Sequence, residues 1–134
     1  MSAPTVGVVL VSHSAEVARS AADLATALTG GGADVPVAAA GGDPDGGIGT
    51  SSDLIIAAAR SVDRGAGVAV LADLGSAVLT VKALLGDGEL PEGTRLVDAP
   101  FVEGAVAAVV TASTGADLDA VAAAAADAYT YRKA

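Results

Sequence analysis

One histidine occurs in the 134 residues of this chain, and there is no cysteine. His13 follows the apolar run Val6-Gly7-Val8-Val9-Leu10-Val11 and Ser12, just before an amphipathic helix pattern begins. That junction is the carboxyl end of a strand, where open α/β sheets place their chemistry. An imidazole is a nucleophile suited to phosphoryl transfer near neutral pH. One ring nitrogen attacks phosphorus while the other keeps its proton, and a carboxylate accepting that second N–H fixes the tautomer and steadies the cation that forms. Asp73, at the end of the apolar run Val68-Ala69-Val70-Leu71-Ala72, is the natural carboxylate. Charge grows on three equatorial phosphoryl oxygens during transfer. Gly49, Thr50, Ser51 and Ser52, and Gly75 with Ser76, could meet those oxygens with hydroxyls, backbone N–H groups and helix N-termini. Plainer readings stand beside these. His13 could be a polar turn residue, and Asp73 the cap of the next helix. The glycines of 41–49 could only turn the chain, and Asp43 with Asp45 reads as a solvated tip rather than a metal site.

Composition narrows the field. The net charge is −9, from 16 acidic and 7 basic side chains. A nucleic-acid groove needs a Lys/Arg field, and an anionic membrane surface attracts basic segments, so both partners are disfavoured. The absence of cysteine removes thiol chemistry, disulfides and zinc–thiolate sites. No signal-like leader and no apolar run long enough to span a bilayer is visible, which predicts a cytoplasmic protein. One phenylalanine, two tyrosines and no tryptophan leave a core of Ala, Val, Leu and Ile.

The elements that must position these residues alternate. A buried strand is predicted over 6–12 and a helix over 14–28, with Val17, Ala21, Leu24, Ala25 and Leu28 on one face. Gly30-Gly31-Gly32 ends it. A strand over 35–39 contains Pro36 and should lie at a sheet edge. Loop 41–50 follows, then a helix over 51–64 with Leu54, Ala58 and Val62 on one side, capped by Ser51 or Ser52. Further expectations are a strand over 68–72, a helix over 77–85 and a strand over 95–99 stopped by Pro100. Two more helices complete the pattern, one after Phe101 and one capped by Asp117. The fold class is α/β: an open, mostly parallel sheet of about four strands with helices on both faces. Its strand ends bring His13, Asp73 and loop 41–50 to one crevice, and its edges invite dimerisation.

Five motifs in order resemble a known family. They are Val9-Leu10-Val11-Ser12-His13-Ser14; Gly49-Thr50 after an Asp-Pro loop; Ala72-Asp73-Leu74-Gly75-Ser76-Ala77; Ala99-Pro100-Phe101-Val102-Glu103-Gly104-Ala105; and Ser113-Thr114-Gly115-Ala116-Asp117-Leu118. Together they resemble the DhaM phosphotransferase subunits of the dihydroxyacetone kinase that draws on the bacterial phosphoenolpyruvate phosphotransferase system, which begin with a mannose-type EIIA domain. The resemblance implies that His13 is phosphorylated by HPr through Nε2, and that Asp73 holds the other ring nitrogen. It implies onward transfer to ADP held in DhaL, with Mg²⁺ arriving there, and dihydroxyacetone bound on DhaK. It also implies a homodimer built on the sheet, with no metal stored in this subunit. Some family members continue into HPr-like and enzyme-I-like domains. Residues 1–134 are expected to form a single EIIA-like domain served by a separate HPr. The close alternative is the EIIA protein of a mannose-type sugar transporter, whose histidine serves a IIB partner. A phosphoaspartate receiver fits poorly, because the required acidic pair and lysine are replaced by Ser12-His13 and Pro100. A nucleotide-binding module lacks a Walker-type Gly-Lys-Ser/Thr sequence.

Overall fold

A computed structural model describes residues 3–30 and 34–134. Four strands, β1 (Gly7–Ser12), β2 (Val37–Gly41), β3 (Val68–Ala72) and β4 (Thr94–Leu96), form one parallel sheet in the order β2-β1-β3-β4. The helices are α1 (Ala15–Ala27), α2 (Ser52–Val62), α3 (Gly75–Gly86), α4 (Phe101–Ser113) and α5 (Leu118–Asp127), with a 3-10 turn over Ala128–Thr130. The parallel α/β class follows from the alternation of elements, because parallel neighbours need a crossover and helices are the compact way to make one.

Successive residues of β1 enter two different cores. Val8 and Leu10 pack with Ala69 and Leu71 under α1, α4 and α5, whereas Val9 and Val11 pack with Val68 and Val70 under α2 and α3. Burial on both faces is why these strands read as unbroken apolar runs. The strand order reverses direction at β1, so the ends of β1 and β3 border the switch point where such sheets open a crevice.

Several boundaries and faces differ from expectation. The second strand begins at Val37 rather than 35, and Pro36 contributes only its carbonyl, to Val8 N–H at 2.9 Å. The strand lies at the sheet edge, as a proline beside it requires. β4 ends at Leu96 rather than 99, with Val97 N–H making a last bond to the Val70 carbonyl before the chain turns toward Pro100. α3 starts two residues early, at Gly75. In α1 the buried line is Ala18, Ala21, Ala22 and Ala25, while Val17, Leu24 and Leu28 face solvent. Small alanines let the helix approach the sheet closely, and the larger residues are displaced to its flank. In α2 the same rotation buries Ile55, Ala58, Ala59 and Val62 and turns Leu54 outward. Of the glycine stop at 30–32, Gly30 has a φ of 65°, and Gly31 and Gly32 lie outside the described residues.

One glycine governs how closely loop 41–50 approaches the end of β1. A Cβ on Gly41 would stand 2.4 Å from the Ser14 carbonyl oxygen, a backbone atom that cannot swing away. Replacing Gly41 with Ala is expected to cost roughly 1–3 kcal/mol of stability, as overpacked sites do. Thermal denaturation followed by circular dichroism checks this, and an unchanged midpoint would contradict the close packing.

Candidate functional site

The end of β1 is gripped from both sides. Asp73 N–H donates to the Val11 carbonyl, Gly42 N–H to the Ser12 carbonyl and Gly49 N–H to the His13 carbonyl, each at 3.0–3.1 Å. Ser14 then caps α1, its hydroxyl accepting from Val17 N–H at 3.3 Å. His13 is thus held between a strand, a loop and a helix start, with its ring directed across the switch point toward β3 and α3.

The ring meets Asp73 on one edge and Ser76 on the other. His13 Nδ1 lies 2.9 Å from Asp73 Oδ1, and Nε2 contacts the Ser76 hydroxyl. Asp73 Oδ2 also accepts from Ser12 Oγ–H at 2.8 Å and from His13 backbone N–H at 3.1 Å, while Oδ1 accepts from Leu74 N–H at 2.7 Å. Partial burial pushes the Asp73 carboxyl up, but the His13 N–H, the His13 ring, the Ser12 hydroxyl and the Leu74 N–H together outweigh it and hold the group below its ordinary value. A carboxylate that stays charged can only accept, so Nδ1 carries a proton, and in the neutral ring Nε2 presents its lone pair. The imidazole keeps 19% of its side-chain surface open and the Asp73 side chain 17%. The arrangement is a partly exposed imidazole whose orientation is fixed by the carboxylate behind it.

Asp73 is not the cap of the next helix. Leu74 occupies the N-cap position of α3 and offers no side-chain acceptor. The Gly75 and Ser76 N–H groups fall in the first turn, where no intrahelical acceptor exists. They have no partner within the helix, and the Ser76 hydroxyl contacts Nε2. Thr50 stands close by, its hydroxyl 3.4 Å from that of Thr80, which in turn donates to the Ser76 carbonyl at 2.9 Å. Gly49 serves differently from the sequence expectation: its N–H is committed to the His13 carbonyl, so it anchors the histidine backbone instead of facing an anion. Ser51 caps α2 by accepting from Leu54 N–H, and Ser52 opens that helix. Asp43 organises its own loop, with Oδ1 accepting from the Asp45 and Gly47 N–H groups at 3.0 and 2.8 Å. Among the described residues no three acidic or histidine side chains converge as a metal cage requires.

Three residues join the site that sequence reasoning passed over. Ser12 is 1% exposed, and its hydroxyl both donates to Asp73 and accepts from Ser14 N–H at 3.1 Å. A hydroxyl closing an otherwise apolar strand was the available signal. Thr80 lies one turn beyond Ser76, where helical periodicity could have found it. Lys82 has no motif to mark it; among the described residues it is the only cationic one lining a cleft of about 380 Å³ on the β4 side of Asp73, whose walls include Leu74, Gly75, Asp98 and Tyr129. Across that cleft's rim Tyr129 donates to Asp98 at 2.7 Å, which raises the phenol's pKa.

Comparison with known proteins gives a consistent picture. The family described as "PTS system fructose IIA component", EIIA-man, matches residues 7–122. The phosphoryl donor subunit DhaM of a PEP-dependent dihydroxyacetone kinase from Pantoea ananatis is 41% identical over 119 residues, covering 87% of this chain and 25% of the relative. This chain therefore spans about a quarter of that relative's length. A DhaM subunit of a second such kinase from Listeria innocua is 30% identical over 118 residues, covering 87% of this chain and 93% of the relative. A crystal structure of a protein of unknown function superposes with a TM-score of 0.78 at 31% identity, covering 92% of this chain and 94% of that one. No helix among the described residues is long and apolar enough to cross a membrane.

The lowered Asp73 carboxyl has a pH signature. A depressed carboxyl favours the folded state while it is charged, so its contribution is complete above the unfolded pKa and is lost as pH falls through the folded one. The stability difference between wild type and Asp73→Asn should be largest at neutral pH and shrink on acidification below about pH 4. Urea titrations across that range check it; a gap that holds constant into strong acid would remove the charge from the account. Ser12→Ala should raise the Asp73 carboxyl, read by carbon-13 NMR of that side chain, and Ser12→Thr should restore it.

Proposed function

This chain belongs to the mannose-type EIIA family that includes the DhaM subunits, and from that premise we propose that residues 1–134 act as one phosphohistidine carrier domain in the cytoplasm. It accepts a phosphoryl group from phospho-HPr and passes it to ADP bound on DhaL, within a kinase whose dihydroxyacetone site lies on DhaK. The observation that carries this reading is the His13 Nδ1–Asp73 contact of 2.9 Å, which leaves Nε2 as the attacking nitrogen. Two copies are expected to pair as a homodimer.

The transfer is an in-line displacement. The Nε2 lone pair forms a bond to phosphorus as the donor's P–N bond breaks, and the donor imidazole leaves with that electron pair. The proton on His13 Nδ1 stays in place, and the charge appearing on the ring is met by Asp73. Ser76 rotates its hydroxyl from Nε2 to a phosphoryl oxygen, and the Gly75 and Ser76 N–H groups with Thr50 meet the others. In the second half-reaction a terminal phosphate oxygen of ADP attacks the same phosphorus from outside, the P–Nε2 bond breaks, and ATP forms. Mg²⁺ enters with the nucleotide on DhaL, so no resident cofactor is needed in this subunit; the phosphohistidine is the intermediate.

A second reading has one observation in its favour. The matching family carries a sugar-transport description, which fits an EIIA protein delivering phosphate to a IIB partner of a mannose-type transporter. The DhaM relatives weigh toward the kinase.

Phosphoenolpyruvate labelled in its phosphate, enzyme I, HPr and this protein should place acid-labile label on His13, and adding DhaL–ADP should move it into ATP. Movement only to a IIB protein would select the transporter. His13→Ala should take up no label while keeping its fold. Asp73→Ala should slow transfer by about 10²–10⁴-fold without abolishing it, because orientation is lost and the nucleophile remains. Label persisting on the His13 variant would end the proposal.

A further inference from the structure

Ser76 and Thr80 stand one turn apart on the face of α3 that Thr50 reaches. Thr80 Oγ1–H donates to the Ser76 carbonyl at 2.9 Å. Such a bond back to the preceding turn is ordinary for a helical threonine. The second contact is not. Thr80 Oγ1 also lies 3.4 Å from Thr50 Oγ1, across the gap between loop 41–50 and α3. Among the described residues this is the one hydrogen bond that joins residues 41–62 to α3.

The placement of the protons follows. A hydroxyl has one proton to give, and that of Thr80 is committed to a carbonyl, so Thr80 can only accept from Thr50. The Thr50 proton is the one held between the two side chains. At 3.4 Å the contact is longer than the roughly 2.7–2.8 Å usual for a hydroxyl donor and an oxygen acceptor, and correspondingly weak. A charged oxygen is a stronger acceptor and can take the proton over.

The backbone on either side of Thr50 is fixed as well. Gly49 N–H donates to the His13 carbonyl at 3.0 Å, and Ser51 caps α2. Position 50 is thus tied to His13 through its backbone and to α3 through its side chain. One turn before Thr80, the Ser76 hydroxyl meets Nε2. The Ser76 and Thr50 hydroxyls therefore each rest on a neutral partner that they can release.

We propose that Thr80 is a positioning residue of the phosphoryl site and acts through Thr50. With its own proton turned to the Ser76 carbonyl, it holds the Thr50 hydroxyl in the orientation from which a phosphoryl group arriving on Nε2 takes it up. A donor oriented before the reaction has no reorganisation to make during it. The proposal rests on the carrier reading above and adds to it a residue that does not itself touch the phosphoryl group.

Thr80→Val keeps the outline of the side chain and deletes the hydroxyl. Single-turnover uptake of label from phospho-HPr, generated with phosphoenolpyruvate and enzyme I, reads the consequence. The limiting rate at saturating phospho-HPr should fall about 3–10-fold, the effect of one neutral hydrogen bond, while the half-saturating concentration stays the same. Thr80→Ser keeps donor and acceptor and should restore the rate. The double variant Thr50→Val/Thr80→Val should be no slower than Thr50→Val alone, because Thr80 then has nothing left to position. In the free protein, three-bond couplings to the Thr50 methyl carbon should report one rotamer in wild type and in Thr80→Ser, and an average of rotamers in Thr80→Val. Uptake by Thr80→Val at the wild-type rate, losses that multiply in the double variant, or a Thr50 rotamer indifferent to position 80 would each overturn the inference. Labelling of wild type on His13 would leave the carrier reading standing in all three cases. A wild type that takes no label overturns the carrier reading, and this role with it.

Discussion

The Asp73 carboxylate is the constraint on which the site depends. Four donors converge on its two oxygens, two of them from His13 itself. Each bond favours the charged form, and the sum overrides the cost of partial burial. Charge on Asp73 in turn dictates the tautomer of the ring, because an acceptor-only group demands the proton on Nδ1. A single electrostatic decision therefore determines which nitrogen of the neutral ring keeps its lone pair free. The Ser12 hydroxyl is part of that decision, since it occupies the oxygen that the ring does not use and keeps the carboxyl from rotating.

The fold supplies this geometry through three strand ends and little else. The parallel register pairs Val11 with Ala72, which puts Asp73 one residue beyond the strand and beside His13. Gly41, without a Cβ, lets the loop after β2 lie against Ser14, and the loop's Asp43 gathers two of its own N–H groups so that Gly49 can reach the His13 carbonyl. Packing, not propensity, keeps these pieces together. Leu10 and Leu71 are both fully buried directly below the site, so motion of one strand end relative to the other would have to disturb a close-packed core.

What the sequence made legible was the part encoded by type and position. His13 and Asp73 each close an apolar run, and any parallel sheet with these neighbours brings the two together. The direction of α1 was not legible. Val17, Leu24 and Leu28 share a helical stripe with Ala21 and Ala25, and a hydrophobicity pattern cannot tell whether the large or the small members face inward. The chain buries the alanines, because close approach of helix to sheet gains more contacts than a looser fit around leucines. The job of Gly49 was hidden for a different reason. A glycine near a phosphate site is usually read as an anion donor, whereas this N–H is spent on a backbone carbonyl that only the folded loop brings within 3.0 Å. Early initiation of α3 at Gly75 was equally invisible, since Leu74 has no capping side chain to announce it.

The same carboxylate imposes a balance on the proposed relay. A phosphorylated imidazole with its second nitrogen protonated carries positive charge on the ring, which Asp73 stabilises, while the phosphoryl oxygens carry negative charge, which it opposes. The ring lies between the two and keeps them apart. Nε2 meets only a neutral hydroxyl and the start of α3, and the groups hydrogen-bonded to His13 include no lysine or arginine. Neutral donors hold an anion by short-range bonds that a docking partner can replace one for one. A cation in direct contact would deepen the phosphorylated state and slow its discharge, since binding strengthened equally before and after transfer does not lower the barrier between them. Lys82 sits a turn and a half farther along α3, lining the cleft beside Asp73. A carrier needs both half-reactions to run, and a carboxylate on one nitrogen with uncharged donors on the other is an arrangement that favours neither.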